Sequence, residues 1–259
     1  GGGAWMNSFI SQSNFDGKQI PIIANTCNFP PPDKDGISLL SFEQVETLFH
    51  EFGHALHGLL SDVEYPSLAG TRVSRDFVEL PSQLMENWGR HPEVIKTYAK
   101  HYQTGETIPD ELLEKISKAS TFNQGFATTE YVAASYLDMA WHTIKDPVDD
   151  ANDFENKILD EIGLIPEIET RYRSTYFGHI FAGGYATGYY SYLWTEVLEA
   201  DAFEPFKENG IFDKDTADKL RKYIFSSGNS DDLMTQYVRY RGSEPEIAPL
   251  LEKRGLDNF

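Results

Sequence analysis

Cysteine is almost absent. Cys27 is the one example in 259 residues, so no internal disulfide can form. This accords with a reducing compartment, and the cytoplasm is the expected location. Long apolar runs are also missing. None approaches the roughly 20 residues needed to cross a bilayer, and no secretory leader is visible. The chain opens GGGAWMNSF without an initiator methionine. A natural N-terminal region is therefore expected to be missing, and the periplasm is the alternative location. Basic residues are few: 22 Lys and Arg stand against 41 Asp and Glu, a formal net charge of −19. That balance argues against a nucleic-acid partner, because too few cations are available to neutralise a run of phosphates. It argues equally against an anionic membrane surface. No repeat period and no low-complexity segment occurs.

What remains is a chain 40% apolar, enough to bury a real core. Residues 1–30 read as a β-rich segment. AWMNSFI and IPIIANTCNF are β-prone, and Asp16-Gly17 between them is a turn pair. PPPDKDG then breaks the pattern, and residues 41–259 read as helical. Ser41 and Gln44 form a capping box for a helix over 42–60, where Phe42, Val45, Phe49, Phe52 and Leu56 recur every three or four residues. Further helices are expected over 76–89, 92–103, 110–118, 124–142, 151–161, 186–202, 213–226 and 231–241. Asp76 and Glu79 suggest a second capping box, and Pro81 should sit in the first turns of that helix or kink it. The expected fold class is mainly α, a multi-helix catalytic domain with a small β-hairpin near the N-terminus.

The first long helix carries HEFGH. Residues four apart on a helix differ by roughly 40° and about 6 Å along the axis. His50 and His54 therefore project side by side and can share one zinc ion. Glu51 lies beside this face, where it can take a proton from an attacking water without ligating the metal. Gly53 costs about 1 kcal/mol in a helix interior, and close approach of another backbone would offset that. His57 faces the same way but lies about 10 Å up the axis. It is too far to share the ion, and reads as structural or as support for a ligand. The metzincin pattern fails, since it needs Gly at 57 and His at 60, where this chain has His57 and Leu60. A catalytic zinc needs a third protein ligand. Glu79 is the best candidate, but spacing does not separate it from Glu64, Asp76 or Glu86.

A second informative stretch is GHIFAGGYATGYYSYLW. Glycines let backbone approach a substrate, and tyrosine hydroxyls can donate to a developing oxyanion. On a helix Tyr185, Tyr189 and Tyr192 would share a face.

HEFGHALH followed by RDFVELPSQLMENW resembles the thimet-oligopeptidase-like family of zinc metallopeptidases, in particular its bacterial peptidyl-dipeptidase branch. The likeness continues through RYRSTYFGHIFAGGYATGYYSYLWTEVL and SSGNSDDLMTQYVRYRG to LLEKRGL, and so covers essentially the whole chain. It implies that His50, His54 and Glu79 bind one zinc ion and that Glu51 is the catalytic base. It also implies that Tyr185, Tyr192 and His179 act on the transition state or the substrate, with Tyr189 sharing the cleft. The implied reaction releases dipeptides from the free C-terminus of short peptides. Endo-cleavage, or zinc binding without turnover, is the alternative. Family members are much longer, so the chain is expected to be the C-terminal catalytic portion, its cleft completed by the missing N-terminal region. Dipeptide release calls for a cation that binds the substrate carboxylate, and Arg171 and Arg173 are candidates by position. The strand PIIANTC is expected to pair with an extended peptide.

Overall fold

Alternating apolar residues on either side of the Asp16-Gly17 turn form an antiparallel hairpin in the computed structural model, which describes residues 3–257. The first two positions of the expected β-rich segment and the last two of the helical one lie outside that range. Strands β1 (Trp5–Ile10) and β2 (Ile22–Thr26) pair from Trp5 opposite Thr26 to Ile10 opposite Ile22, with a register irregularity after Ser8. Gly17 adopts φ +100°, which its missing Cβ permits. The hairpin packs on the first helix, where Ile23 meets Gly58 so closely that a Cβ there would lie 2.7 Å from Cδ1.

The helices are α1 (Phe42–Leu59), α2 (Arg75–Val78), α3 (Leu80–Arg90), α4 (Pro92–Tyr98), α5 (Asp110–Ser120) and α6 (Gln124–Thr143). They continue as α7 (Ala151–Glu161), α8 (Gly178–Phe181), α9 (Ser191–Asn209), α10 (Lys214–Leu220), α11 (Leu233–Arg241) and α12 (Ala248–Arg254). The fold is mainly α with one small sheet. No helix among the described residues is long and apolar enough to cross a membrane.

Several expected boundaries move. The helix expected over 92–103 stops at Tyr98, because 99–108 folds back on itself: His101 N–H bonds to the Glu106 carbonyl and Ile108 N–H to that of Ala99. Residues 221–225 form a π-helical turn after α10, closed by Ser226 N–H on the Arg221 carbonyl at 2.8 Å. The cap of α11 is Asp232, which accepts from Thr235 N–H, so the helix expected from 231 begins at Leu233. The helices α8 and α12 were not expected.

The core forms around α9, which is buried on most sides. Leu198, Ala202, Phe203 and Phe206 meet Leu80 and Leu84 of α3, and Ile224 and Tyr237 close the cluster. Pro205 lacks an N–H, so the Asp201 carbonyl one turn back has no helical donor. Arg241 Nε takes it at 3.1 Å and also bonds the Asp201 carboxylate. Tyr237 and Tyr240 hydroxyls donate to the Leu198 and Ala202 carbonyls. These bonds fix α11 to α9 and hold the wall that carries the site.

Candidate active site

The glycine in HEFGH explains how two helices come close enough to share a ligand set. A Cβ on Gly53 would lie 2.5 Å from the Pro81 carbonyl oxygen and 2.6 Å from Ser82 Cα. Only glycine lets α1 and α3 meet backbone to backbone here. One turn further along the contact, Gly89 receives the Phe49 ring, with a built Cβ 2.9 Å from Cδ2.

The helix expected over 76–89 is interrupted at Glu79. Pro81 has no N–H for the Phe77 carbonyl, and its ring clashes with that oxygen in a continuous helix. Glu79 instead ends α2 and begins α3, its own N–H turned to Phe77. The expected Asp76/Glu79 capping box does not form. Asp76 accepts from Ser74 Oγ at 2.6 Å, which leaves the Glu79 carboxylate free to point at α1.

There it meets both histidines. Glu79 Oε2 lies 3.3 Å from His50 Nε2 and 3.1 Å from His54 Nε2. Bonds of about 2 Å at tetrahedral angles separate ligand atoms by about 3.3 Å, so two imidazoles and a carboxylate spaced this way fit a zinc ion. Among the described residues these three form the one His/Cys/Asp/Glu group with metal-ligand spacing. The other candidates lie elsewhere. Asp76 faces Ser74, and Glu64 uses its carbonyl for Ser13 and Asn14. Glu86 sits behind the site, 2.7 Å from His50 Nδ1, so that it orients the ring without ligating.

Electrostatics follow the geometry. Burial disfavours the charged form of Glu79, but hydrogen bonds from His50 and His54 prevail and hold its carboxyl well below the usual range. Burial of His50 is likewise outweighed by Glu79 and Glu86, which bring its pKa to about 10. Ser82 Oγ, fully buried, steadies Glu79 with bonds to its carbonyl at 2.9 Å and to Oε2 at 3.1 Å. Glu51 is 5% exposed, and its Oε2 has no protein partner. Burial raises its pKa above the usual carboxylate range against the pull of His50 and His54. His57 is fully buried against Phe225, and burial pushes its pKa down to about 3. It stays neutral and apart from the ligands.

The tyrosine segment comes down on this site. Tyr185 donates to Glu79 Oε1 at 2.7 Å and stacks on Tyr192 with centroids 5.1 Å apart. Burial and the Glu79 charge raise both phenols, so they remain donors. His179 faces the same space, its pKa lowered by burial and by Arg171, which keeps the ring neutral. The three groups border one cleft of about 580 Å³ with His50, Glu51, His54 and Glu79.

Three expectations about this region fail. The shared helical face of Tyr185, Tyr189 and Tyr192 does not exist, because α9 begins only at Ser191. Tyr189 is buried outside the cleft, packed on Phe177 and stacked on Tyr131. Arg173 is bound to fully buried Glu155 and does not face the cleft. A fourth reading shifts by one strand. The cleft is bordered by Ala4, Trp5 and Met6 at the start of β1, while β2 is the strand that packs on Gly58.

Asp138 was not anticipated. It is 1% exposed, and its two oxygens accept the N–H groups of Thr187 and Tyr189, each at 2.9 Å. Thr187 sits at φ +57°, uncommon for a residue with a Cβ. The Tyr131 hydroxyl donates to the Tyr189 carbonyl. His142 Nδ1 lies 2.8 Å from the Asp138 carboxylate, but the two loop N–H groups are about 50 residues away, so nothing near Asp138 in the sequence signals its role in the loop.

Known proteins are similar to this chain over almost its whole length. The dipeptidyl carboxypeptidase of Escherichia coli (strain K12) is 46% identical over 259 residues, covering 99% of this chain and 38% of that protein. Oligopeptidase A of the same organism is 40% identical over 260 residues, 98% of this chain and 38% of its own length. The organellar oligopeptidase A of Arabidopsis thaliana is 40% identical over 268 residues, 98% of this chain and 34% of its own. The chain thus spans little more than a third of the curated relatives it matches. The sequence profile of Peptidase family M3 matches residues 1–256, and the chain belongs to that family.

Proposed function

We propose that this chain is the catalytic portion of a zinc-dependent peptide hydrolase that releases dipeptides from the free C-terminus of oligopeptides. One observation carries the hydrolase reading: His50, His54 and Glu79 converge on a single point, beside Glu51 and two tyrosine hydroxyls in one cleft. When bound, zinc supplies a Lewis acid that polarises a carbonyl and acidifies water. Glu51, with its raised pKa, takes the proton of the attacking water and passes it to the leaving amine. Tyr192 donates to the oxyanion as charge develops on the scissile carbonyl, while Tyr185 steadies Glu79. His179, neutral at the cleft wall, donates to the substrate backbone. The free edge of β1 offers main-chain bonds to an extended peptide.

Dipeptide release is supported by the likeness to the dipeptidyl carboxypeptidases of Escherichia coli and Salmonella typhimurium, each 46% identical. Endo-cleavage is the second reading, supported by the oligopeptidase A relatives at 39–40% identity. The greater length of all these relatives accords with a further N-terminal region that forms the opposite wall of the cleft. Exposed Phe9, Ile20 and Ile22 on the hairpin give that region apolar surface to cover. Without it, zinc binding without turnover is the expected behaviour. The cytoplasm is the proposed compartment, in accord with the single free Cys27.

Product analysis of the zinc-loaded full-length enzyme tests the reading. Serial dipeptides from peptides with a free C-terminus are expected, with poor cleavage of the amidated forms. Internal cleavage of both alike would favour the endo-acting reading. No cleavage with zinc bound would remove the hydrolase.

A further inference from the structure

We propose that Arg75 is the specificity-determining residue that binds the C-terminal carboxylate of the substrate, an inference that rests on the dipeptide-release reading. Arg75 is the one Lys or Arg bordering the cleft among the described residues. It makes no ion pair, whereas Arg90, Arg173, Arg239, Arg241 and Arg254 each hold a carboxylate. Its neighbour Asp76 is turned away onto Ser74.

The guanidinium is held in place by contacts that leave its donors free. Its central carbon lies 4.8 Å from the centroid of the Tyr185 ring. A cation over a ring is held through its face, so its in-plane N–H groups stay available. Gly184, at φ +79°, makes the space on the other side; a Cβ there would lie 3.0 Å from an Arg75 terminal nitrogen. A fork of free N–H groups matches the two oxygens of a carboxylate.

The position also fits the length of the product. Two residues in extended form span about 7 Å at most. Arg75 stands one tyrosine ring away from the ligand set, since the hydroxyl of that same Tyr185 lies 2.7 Å from Glu79 Oε1. A carboxylate on Arg75 sets the peptide bond two residues upstream beside Glu79 and Glu51. The same contact explains why Arg171 and Arg173 are not needed: the first faces Tyr172, Tyr189 and His179, the second Glu155.

The test compares kcat/KM for one peptide as its free acid and as its C-terminal amide, in the zinc-loaded full-length enzyme and its Arg75→Ala and Arg75→Lys variants. Arg75→Ala should lower the free-acid preference by about 10- to 100-fold, the range expected for hydrogen bonds to a charged group. Arg75→Lys should restore part of it, since a point charge replaces the fork. A strong wild-type preference that survives Arg75→Ala would overturn the assignment and leave dipeptide release standing. Equal losses on both peptides would also overturn it, because Arg75 would then merely prop Tyr185. A wild-type ratio near one would remove the dipeptide-release reading, and the assignment with it.

Discussion

The ligand-bearing helices and the tyrosine loop meet in one cleft but are fixed by different means. The helices α1 and α3 touch backbone to backbone at Gly53, so the positions of His50, His54 and Glu79 follow from packing that nothing can loosen locally. The segment from Gly178 to Tyr190, α8 and the loop after it, is anchored in a small cluster through Ile180 and Tyr189, and most of the residues between them are exposed. Its shape depends on one buried carboxylate, Asp138, on the Tyr131 hydroxyl, and on a tyrosine reaching to Glu79. The contrast teaches that a metal site can be built into the scaffold while the groups that meet the transition state are held by a few long-range hydrogen bonds. Disturbing the first should cost the fold, and disturbing the second should cost turnover.

The largest effect expected is on the helix pair. Gly53→Val drives a branched side chain into the Pro81 and Ser82 backbone and should destabilise by about 3 kcal/mol or more, visible as a lowered melting temperature together with lost zinc. Retained stability would show that the backbone contact is not what holds the ligands. Next comes the loop clamp. Asp138→Asn turns an amide N–H toward a backbone N–H and should lower kcat about 100-fold, comparable to loss of an oxyanion donor, while zinc content stays constant. In a Tyr192→Phe background the same change should add little, and a fully additive loss would separate Asp138 from the tyrosines.

Smaller effects sharpen the comparison within the metal site. Glu86→Ala removes the acceptor for His50 Nδ1 and should weaken zinc affinity by about 10- to 100-fold, read by competition with a chelator. Ser82→Ala removes one neutral donor from Glu79 and should weaken affinity several-fold, from about 1 kcal/mol. If Ser82→Ala proved the more damaging of the two, the ranking of supports around the site would be wrong.

How much of this the sequence disclosed depended on range. The helix start at Ser41, its capping box with Gln44, the hairpin turn at Asp16-Gly17 and the shared face of His50 and His54 all depend on neighbours a few residues apart. Each appears as expected. The need for a backbone at Gly53 was legible as an energetic oddity, and Pro81 explains the break that frees Glu79. The choice between Glu79 and Glu86 was not legible from spacing, since both lie on or beside α3, one facing the shared point and one behind His50. The start of α9 was missed because Asp138 captures Thr187 and Tyr189 N–H groups that a helix would have used. No local periodicity records a partner so distant. Arg173 was misjudged for the same reason, its charge being taken up by Glu155 from α7.

The most direct test is Glu51→Gln in the full-length enzyme, with zinc content and turnover measured on the same sample. Glu51 borders the ligands without joining them, so the variant should keep one zinc ion per chain and lose nearly all peptide hydrolysis. Near-normal turnover would contradict the account, and loss of zinc would show that Glu51 belongs to the ligand set.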